Sequence, residues 1–224
     1  LVRAGTLTVA GTDEFDQTGG ASFLVGSRNG CYGVFNVQDS ATATVKQLNV
    51  GRYGVGFVTV SGGTLKTGYD AYVAAQASTA EGESVLTQTG GEIEFTVAGQ
   101  GLTVAHAAGR KGGVRLLGGT MKTGYLRGGA GVSTLTADGG RLVVTKASDN
   151  FLSGFSTATL EDGGLAIVSD ADIGIGQDFT DDGTGLMTLE GSGVKTFTGT
   201  ESAPSRLVVS AGAAVFGESA AKPD

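Results

Sequence analysis

The chain has no tryptophan, one cysteine, one histidine and two prolines among 224 residues. A lone cysteine closes no internal disulfide, which excludes a disulfide scaffold. One cysteine and one histidine also cannot furnish the several N and S ligands of a structural zinc site. No run of about 18 apolar residues occurs, so no segment reads as a membrane-spanning helix. Cationic residues are few and scattered, with 15 Lys+Arg against 22 Asp+Glu and a formal net charge of -7. Counterion release from a phosphate backbone is therefore not expected, and nucleic acid is set aside as a partner. No charged stretch followed by an apolar run precedes the first strand pattern, so this piece is expected to carry no signal peptide.

Glycine is what the chain has in excess: 41 residues, more than twice the usual ~7%. There is no G-X-Y period, and 40% of the residues are hydrophobic, so neither collagen nor glycine-rich disorder fits. Small-residue pairs punctuate the sequence instead, at Ala4-Gly5, Asp39-Ser40, Gly62-Gly63, Gly90-Gly91, Gly118-Gly119, Gly139-Gly140, Gly163-Gly164, Gly191-Ser192 and Gly212-Ala213. Their spacings are 35, 23, 28, 28, 21, 24, 28 and 21. A variable period in the twenties is the signature of a solenoid that absorbs slack in its loops.

The flanking positions carry the same repeat. Three residues past the first member of each pair lie Leu7, Thr42, Leu65, Ile93, Met121, Leu142, Ala166, Val194 and Val215. Four residues before it, from the second pair on, lie Phe35, Val58, Leu86, Val114, Leu135, Thr159, Met187 and Val208. These are two nearly uninterrupted apolar columns, and the residue after the second is mostly polar, the period of two of a half-buried strand. The clearest internal copies are Gly63-Thr64-Leu65-Lys66-Thr67-Gly68-Tyr69 and Gly119-Thr120-Met121-Lys122-Thr123-Gly124-Tyr125, 56 residues apart. Two Lys-Thr-Gly copies at equivalent repeat positions mark coil corners rather than a catalytic signature. The expected fold is all-β, a right-handed parallel β-helix of about eight to nine coils of 21–28 residues, with handedness resting on the right-handed crossover preference. Residues 1–217 form the solenoid and 218–224 a tail or linker. A sandwich or propeller of antiparallel hairpins is the alternative, although Asn-Gly, a favoured hairpin turn, occurs once, at Asn29-Gly30. The alanine-rich Ala74-Ala75-Gln76-Ala77 admits a short helix.

The stretch from Leu48-Asn49-Val50-Gly51 through Gly54-Val55-Gly56 to Val58-Thr59-Val60-Ser61-Gly62-Gly63-Thr64-Leu65 resembles the autotransporter-type passenger repeat. Weaker copies start at Phe23-Leu24-Val25-Gly26, Leu126-Arg127-Gly128 and Ile173-Gly174-Ile175-Gly176. The resemblance implies a secreted or cell-surface β-helix serving as adhesin, stalk or scaffold, whose partners are surface glycans or proteins.

Three acids, Asp138, Asp162 and Glu190, each stand immediately before a small pair. In a stacked solenoid they would form a carboxylate ladder at about 4.8 Å per coil, close enough to repel unless the side chains splay, one protonates or a cation bridges them. A second acidic cluster, Asp178, Asp181 and Asp182 among glycines, has oxygen spacing that suits Ca²⁺, without the EF-hand pattern. Apart from that ion no cofactor is expected. His106 lacks a nearby Ser or Cys in sequence and reads as structural, and Cys31 reads as a small loop residue. Tyr69 and Tyr125, at equivalent repeat positions, suggest either a stripe for sugar stacking or a packing ladder. The expected function is a non-enzymatic extracellular stalk or adhesin segment. A polysaccharide-binding or polysaccharide-degrading β-helix and a subunit that joins end to end remain alternatives. The open strand edges of a solenoid would meet further coils, a capping domain or another subunit.

Overall fold

A computed structural model describes residues 1–79, 81–181, 183–199 and 204–217. Every strand pair in it is parallel, and the strands fall into three sheets that the chain visits in rotation. Sheet I contains β1 (Gly5–Val9), β4 (Tyr32–Val37), β7 (Val55–Val60), β10 (Glu83–Gln88), β13 (Lys111–Leu116), β16 (Val132–Ala137) and β19 (Thr157–Leu160). Sheet II contains β2 (Glu14–Gln17), β5 (Thr42–Val45), β8 (Thr64–Thr67), β11 (Glu92–Phe95), β14 (Thr120–Thr123), β17 (Gly140–Val144), β20 (Leu165–Val168), β22 (Leu186–Glu190) and β24 (Arg206–Val209). Sheet III contains β3 (Phe23–Val25), β6 (Leu48–Val50), β9 (Ala71–Val73), β12 (Leu102–Val104), β15 (Leu126–Gly128), β18 (Ser148–Ser153), β21 (Ile173–Ile175), β23 (Val194–Phe197) and β25 (Ala213–Phe216). The chain is a parallel β-helix.

Most strands alternate buried and half-buried residues, as in β5, β8, β11 and β14, so one side chain in two points to the axis. The interior is thin: Phe15, Phe23 and Phe35, one from each sheet, meet with ring centroids 4.9 to 6.0 Å apart. Leu65, Ile93, Met121 and Leu142 stack in sheet II as the repeat predicts, continuing to Ile167 and Leu189. Phe35, Val58, Leu86, Val114 and Leu135 stack likewise in sheet I.

The expected columns fail toward the ends. Ala43, not Thr42, is the inward partner of Leu65, and Ala158, not Thr159, is that of Leu135. Ile167 rather than Ala166 continues the sheet II column. Leu7 lies in sheet I, Met187 and Val208 in sheet II, and Val194 and Val215 in sheet III, so each stands outside the column assigned to it. For Met187, Val194, Val208 and Val215 the cause is a change of coil plan: sheet I has its last strand at β19, and the chain then alternates between sheets II and III.

The corners explain the glycines and the Lys-Thr-Gly copies. Gly26 and Gly63 have φ of 66° and 60°, and a Cβ at either would strike backbone of the neighbouring coil, at Val55 or Ala41. Thr67 and Thr123 point inward and donate to the carbonyls of Tyr69 and Tyr125 at 2.8 and 2.7 Å, closing the same corner in coils two apart. The segment Ala74-Ala75-Gln76-Ala77 is a corner, not a helix: Ala74 is buried with φ of 53° where Gly26 and Gly51 stand in earlier coils.

Two cations sit inside. Lys195 occupies an inward position of β23, fully buried, and its Nζ donates to the carbonyls of Ser169, Gly191 and Gly193 at 2.7 to 2.9 Å. Arg110, 1% exposed, donates to the carbonyls of Gln76 and Gly54 at 2.9 and 2.6 Å and reaches that of Gly51 at 3.4 Å. Burial pushes the pKa of both down.

Leu135→Asp is expected to abolish the cooperative fold, since it places an unpaired charge in an interior one side chain deep, at a cost of more than about 4 kcal/mol. Thr136→Asp, on the outward face of the same strand, is expected to change stability by less than about 1 kcal/mol. Urea unfolding followed by circular dichroism compares the two; equal stability would contradict the inward assignment.

Candidate functional site

A cleft opens where sheet I runs out. Beyond β19, among the described residues, Thr180 alone continues the row, bridging to Thr159, with its N–H donating to the Ala158 carbonyl at 2.8 Å and its carbonyl accepting the Leu160 N–H at 3.0 Å. The resulting hollow of about 530 Å³ is lined by Asp138, Glu161, Asp162 and Asp181 together with Thr159 and Thr180. Two of the three ladder acids, Asp138 and Asp162, and one of the three expected calcium ligands, Asp181, thus face one cleft.

The ladder itself does not form. Ala137 pairs with Leu160, which sets Asp138 level with Glu161. Glu190 belongs to sheet II, where its neighbour is Val168. There it forms a two-pronged ion pair with Arg141, with nitrogen to oxygen distances of 2.9 and 2.7 Å. This pair spans 49 residues and reaches across the intervening β20. The Arg141 guanidinium holds the Glu190 carboxyl below its usual range. Periodicity of acids alone had no means of placing it, because the deciding partner is a cation two coils away.

Asp138, Asp162 and Asp181 act as acceptors for corner N–H and hydroxyl groups. Asp138 Oδ1 accepts the N–H of Gly163 at 2.7 Å, and Asp162 accepts the hydroxyl of Thr184. Asp181 accepts the N–H groups of Gly183 and Ser205 at 2.7 and 2.9 Å and also the Ser205 hydroxyl. Burial tends to raise the Asp181 pKa, but the bonds from Ser205 and Gly183 outweigh it and the net displacement is downward. Four more carboxylates repeat the motif: Asp39 takes the N–H of Gly11, Asp70 that of Gly101, Asp170 that of Ser192 and Asp172 that of Val194, all at 2.8 to 3.0 Å. Asp170 is held below its usual range by the Ser192 N–H and then by its hydroxyl. Apart from the local bond between Gly183 and Asp181, each of these bonds joins one coil to the next.

Asp178 is half-buried one residue before Phe179, on the far side of Thr180 from Asp181, and Asp182 lies outside the described residues. Among the described residues no three His, Cys, Asp or Glu side chains come together to hold a metal ion. His106 is exposed and packs against Tyr72, with centroids 4.6 Å apart. The tyrosine stripe is not formed. Tyr69 is exposed, whereas Tyr125 lies half-buried with the Arg127 guanidinium 4.5 Å from its ring centre. Burial, then a bond with Asp70, pushes the Tyr125 phenol up.

Carboxyl groups whose folded pKa is depressed contribute stability that is complete above their unfolded pKa and lost as pH falls through the folded value. Asp170, Asp181 and Glu190 are displaced in that direction. The melting temperature is therefore expected to hold near neutrality and fall as pH drops below about 4. Asp181→Ala, which removes the acceptor of Ser205 and Gly183, is expected to cost about 1–2 kcal/mol at pH 7 and to reduce this acid dependence. A variant as stable as the parent at pH 7 would show that the clamp carries no weight. No protein-family model matches the chain, and no curated protein and no solved structure is detectably similar to it.

Proposed function

We propose that this β-helix is a non-enzymatic scaffold segment of an extracellular or cell-surface protein, a stiff spacer that holds its corner loops apart at fixed intervals. The observation that carries the reading is the continuity of parallel pairing. Sheets II and III each run through nine strands without a break, giving a rod of about 40 Å at ~4.8 Å per coil. Stiffness follows because each coil is bonded to the next along three sheets, or two beyond β19, and again at the corners. Three of the four cleft carboxylates support the same reading. Asp138 and Asp181 accept backbone N–H groups of the next coil and Asp162 accepts the Thr184 hydroxyl, and a carboxylate committed to holding coils together is poorly placed to shuttle protons.

The test pairs shape with chemistry. Small-angle scattering should give the distance distribution of a rod of that length, and incubation with a panel of polysaccharides should release no new reducing or unsaturated ends. A globular distribution, or turnover on any polysaccharide, would overturn the proposal.

A further inference from the structure

The corner between sheets III and I differs from the rest of the surface. Three hollows of about 380, 170 and 490 Å³ run into one another there: the first and second share Asn29, the second and third share Thr79 and Glu81. They join corner loops of four successive coils, from Arg28 to Lys111, so the groove follows the rod axis for about 15 Å at ~4.8 Å per coil. That rise is close to the length of one pyranose unit in an extended chain.

Two rings stand open along it, Tyr32 at 59% and Tyr53 at 39% exposure. Aromatic surface left in water on an otherwise polar corner suits the apolar face of a sugar ring, and each phenol adds a hydrogen-bonding edge. The Arg52 guanidinium lies 5.3 Å from the Tyr53 ring centre. With Arg28 and Lys111 it places three cations beside the single lining acid, Glu81, on a chain of net charge -7. Among the described residues none of these three cations forms an ion pair.

The groove is built before any ligand arrives. The Ser78 hydroxyl lies within donating reach of both Asn29 Oδ1, at 2.6 Å, and the Tyr53 carbonyl, sharing its one proton between them, while Asn29 Nδ2 donates to Thr79 at 3.2 Å. Beneath the loops the buried Arg110 ties together the carbonyls of Gly54 and Gln76. The cost of ordering these loops is therefore met in folding rather than on binding. We infer that this groove binds an extended acidic polysaccharide, its pyranose faces on Tyr32 and Tyr53 and its carboxylates or sulfates on Arg28, Arg52 and Lys111. The inference goes beyond the scaffold reading and does not depend on it.

Cys31, half-exposed in the middle hollow, is a built-in reporter. The rate of its labelling by a fluorescent maleimide is measured with polygalacturonate, dextran sulfate, neutral dextran or a single-stranded oligonucleotide present. Affinities are measured in parallel for the parent, Tyr32→Ala, the double variant Arg52→Gln with Tyr53→Ala, and Lys66→Gln on the outer face of sheet II. All variants are first matched for thermal melting. Slowed labelling by polygalacturonate or dextran sulfate, with affinity reduced about tenfold in the double variant and in Tyr32→Ala but unchanged in Lys66→Gln, is the expected result. Which of the two anions protects identifies carboxylate or sulfate as the group recognised. Equal weakening by Lys66→Gln, equal protection by neutral dextran or the oligonucleotide, or no protection by either acidic polymer would overturn the inference.

Discussion

A coil stacked on its neighbour at about 4.8 Å satisfies its strand backbone through the parallel ladder, which runs on into part of each corner, as from Gly51 to Val25 and from Ala74 to Val50, and leaves other corner groups to side chains. How the corners are closed sets the terms for the rest of this structure. Glycine lets the neighbouring backbone come close, as at Gly26 and Gly63. Inward threonines close two equivalent corners with their hydroxyls. Aspartates take the N–H groups of the adjacent coil, and two buried cations gather the carbonyls. The acidic excess of the chain is in good part a structural inventory: carboxylates serve where other folds would use a turn, a water or an ion.

Lys195 and Arg110 show the same logic from the opposite sign. An inward lysine in a solenoid one side chain thick would be a costly unpaired charge, yet its ammonium is met by three corner carbonyls, those of Ser169, Gly191 and Gly193. Arg110 does this for the loops above the tyrosine groove. Cation and corner depend on each other, which ties the loop surface to the interior.

The middle of the fold was legible in the sequence because Leu65, Ile93, Met121 and Leu142 follow glycine pairs at constant offset, and both apolarity and spacing report the same inward column. The ends were not. A one-residue difference at Asp39-Ser40 shifts Thr42 outward and Ala43 inward, and alanine and threonine are too alike in patterning to reveal it. The loss of a sheet I strand after β21 leaves a coil of similar length with a different route, so spacing survived where topology changed. Charged residues misled most. A periodic pattern reads Lys195 as outward, and it places Glu190 with the acids it resembles rather than with Arg141, the cation that it meets. The tyrosine groove was hidden for a related reason: Tyr32 opens β4 on its exposed side and Tyr53 sits in the loop before β7, off the inward columns that the repeat reports, and only the fold brings them beside Asn29.

The central claim, that corner carboxylates clamp coil to coil, is tested most directly by amide hydrogen exchange resolved at individual residues. The N–H groups of Gly101, Gly163, Ser192 and Val194 all lie outside strands or at their starts, and each is bonded to an aspartate of the adjacent coil. The account predicts that these four are protected at neutral pH and that each loses protection when its own aspartate is replaced by alanine, while strand amides two coils away are unchanged. Corner amides that exchange as freely in the parent as in the variants would contradict it.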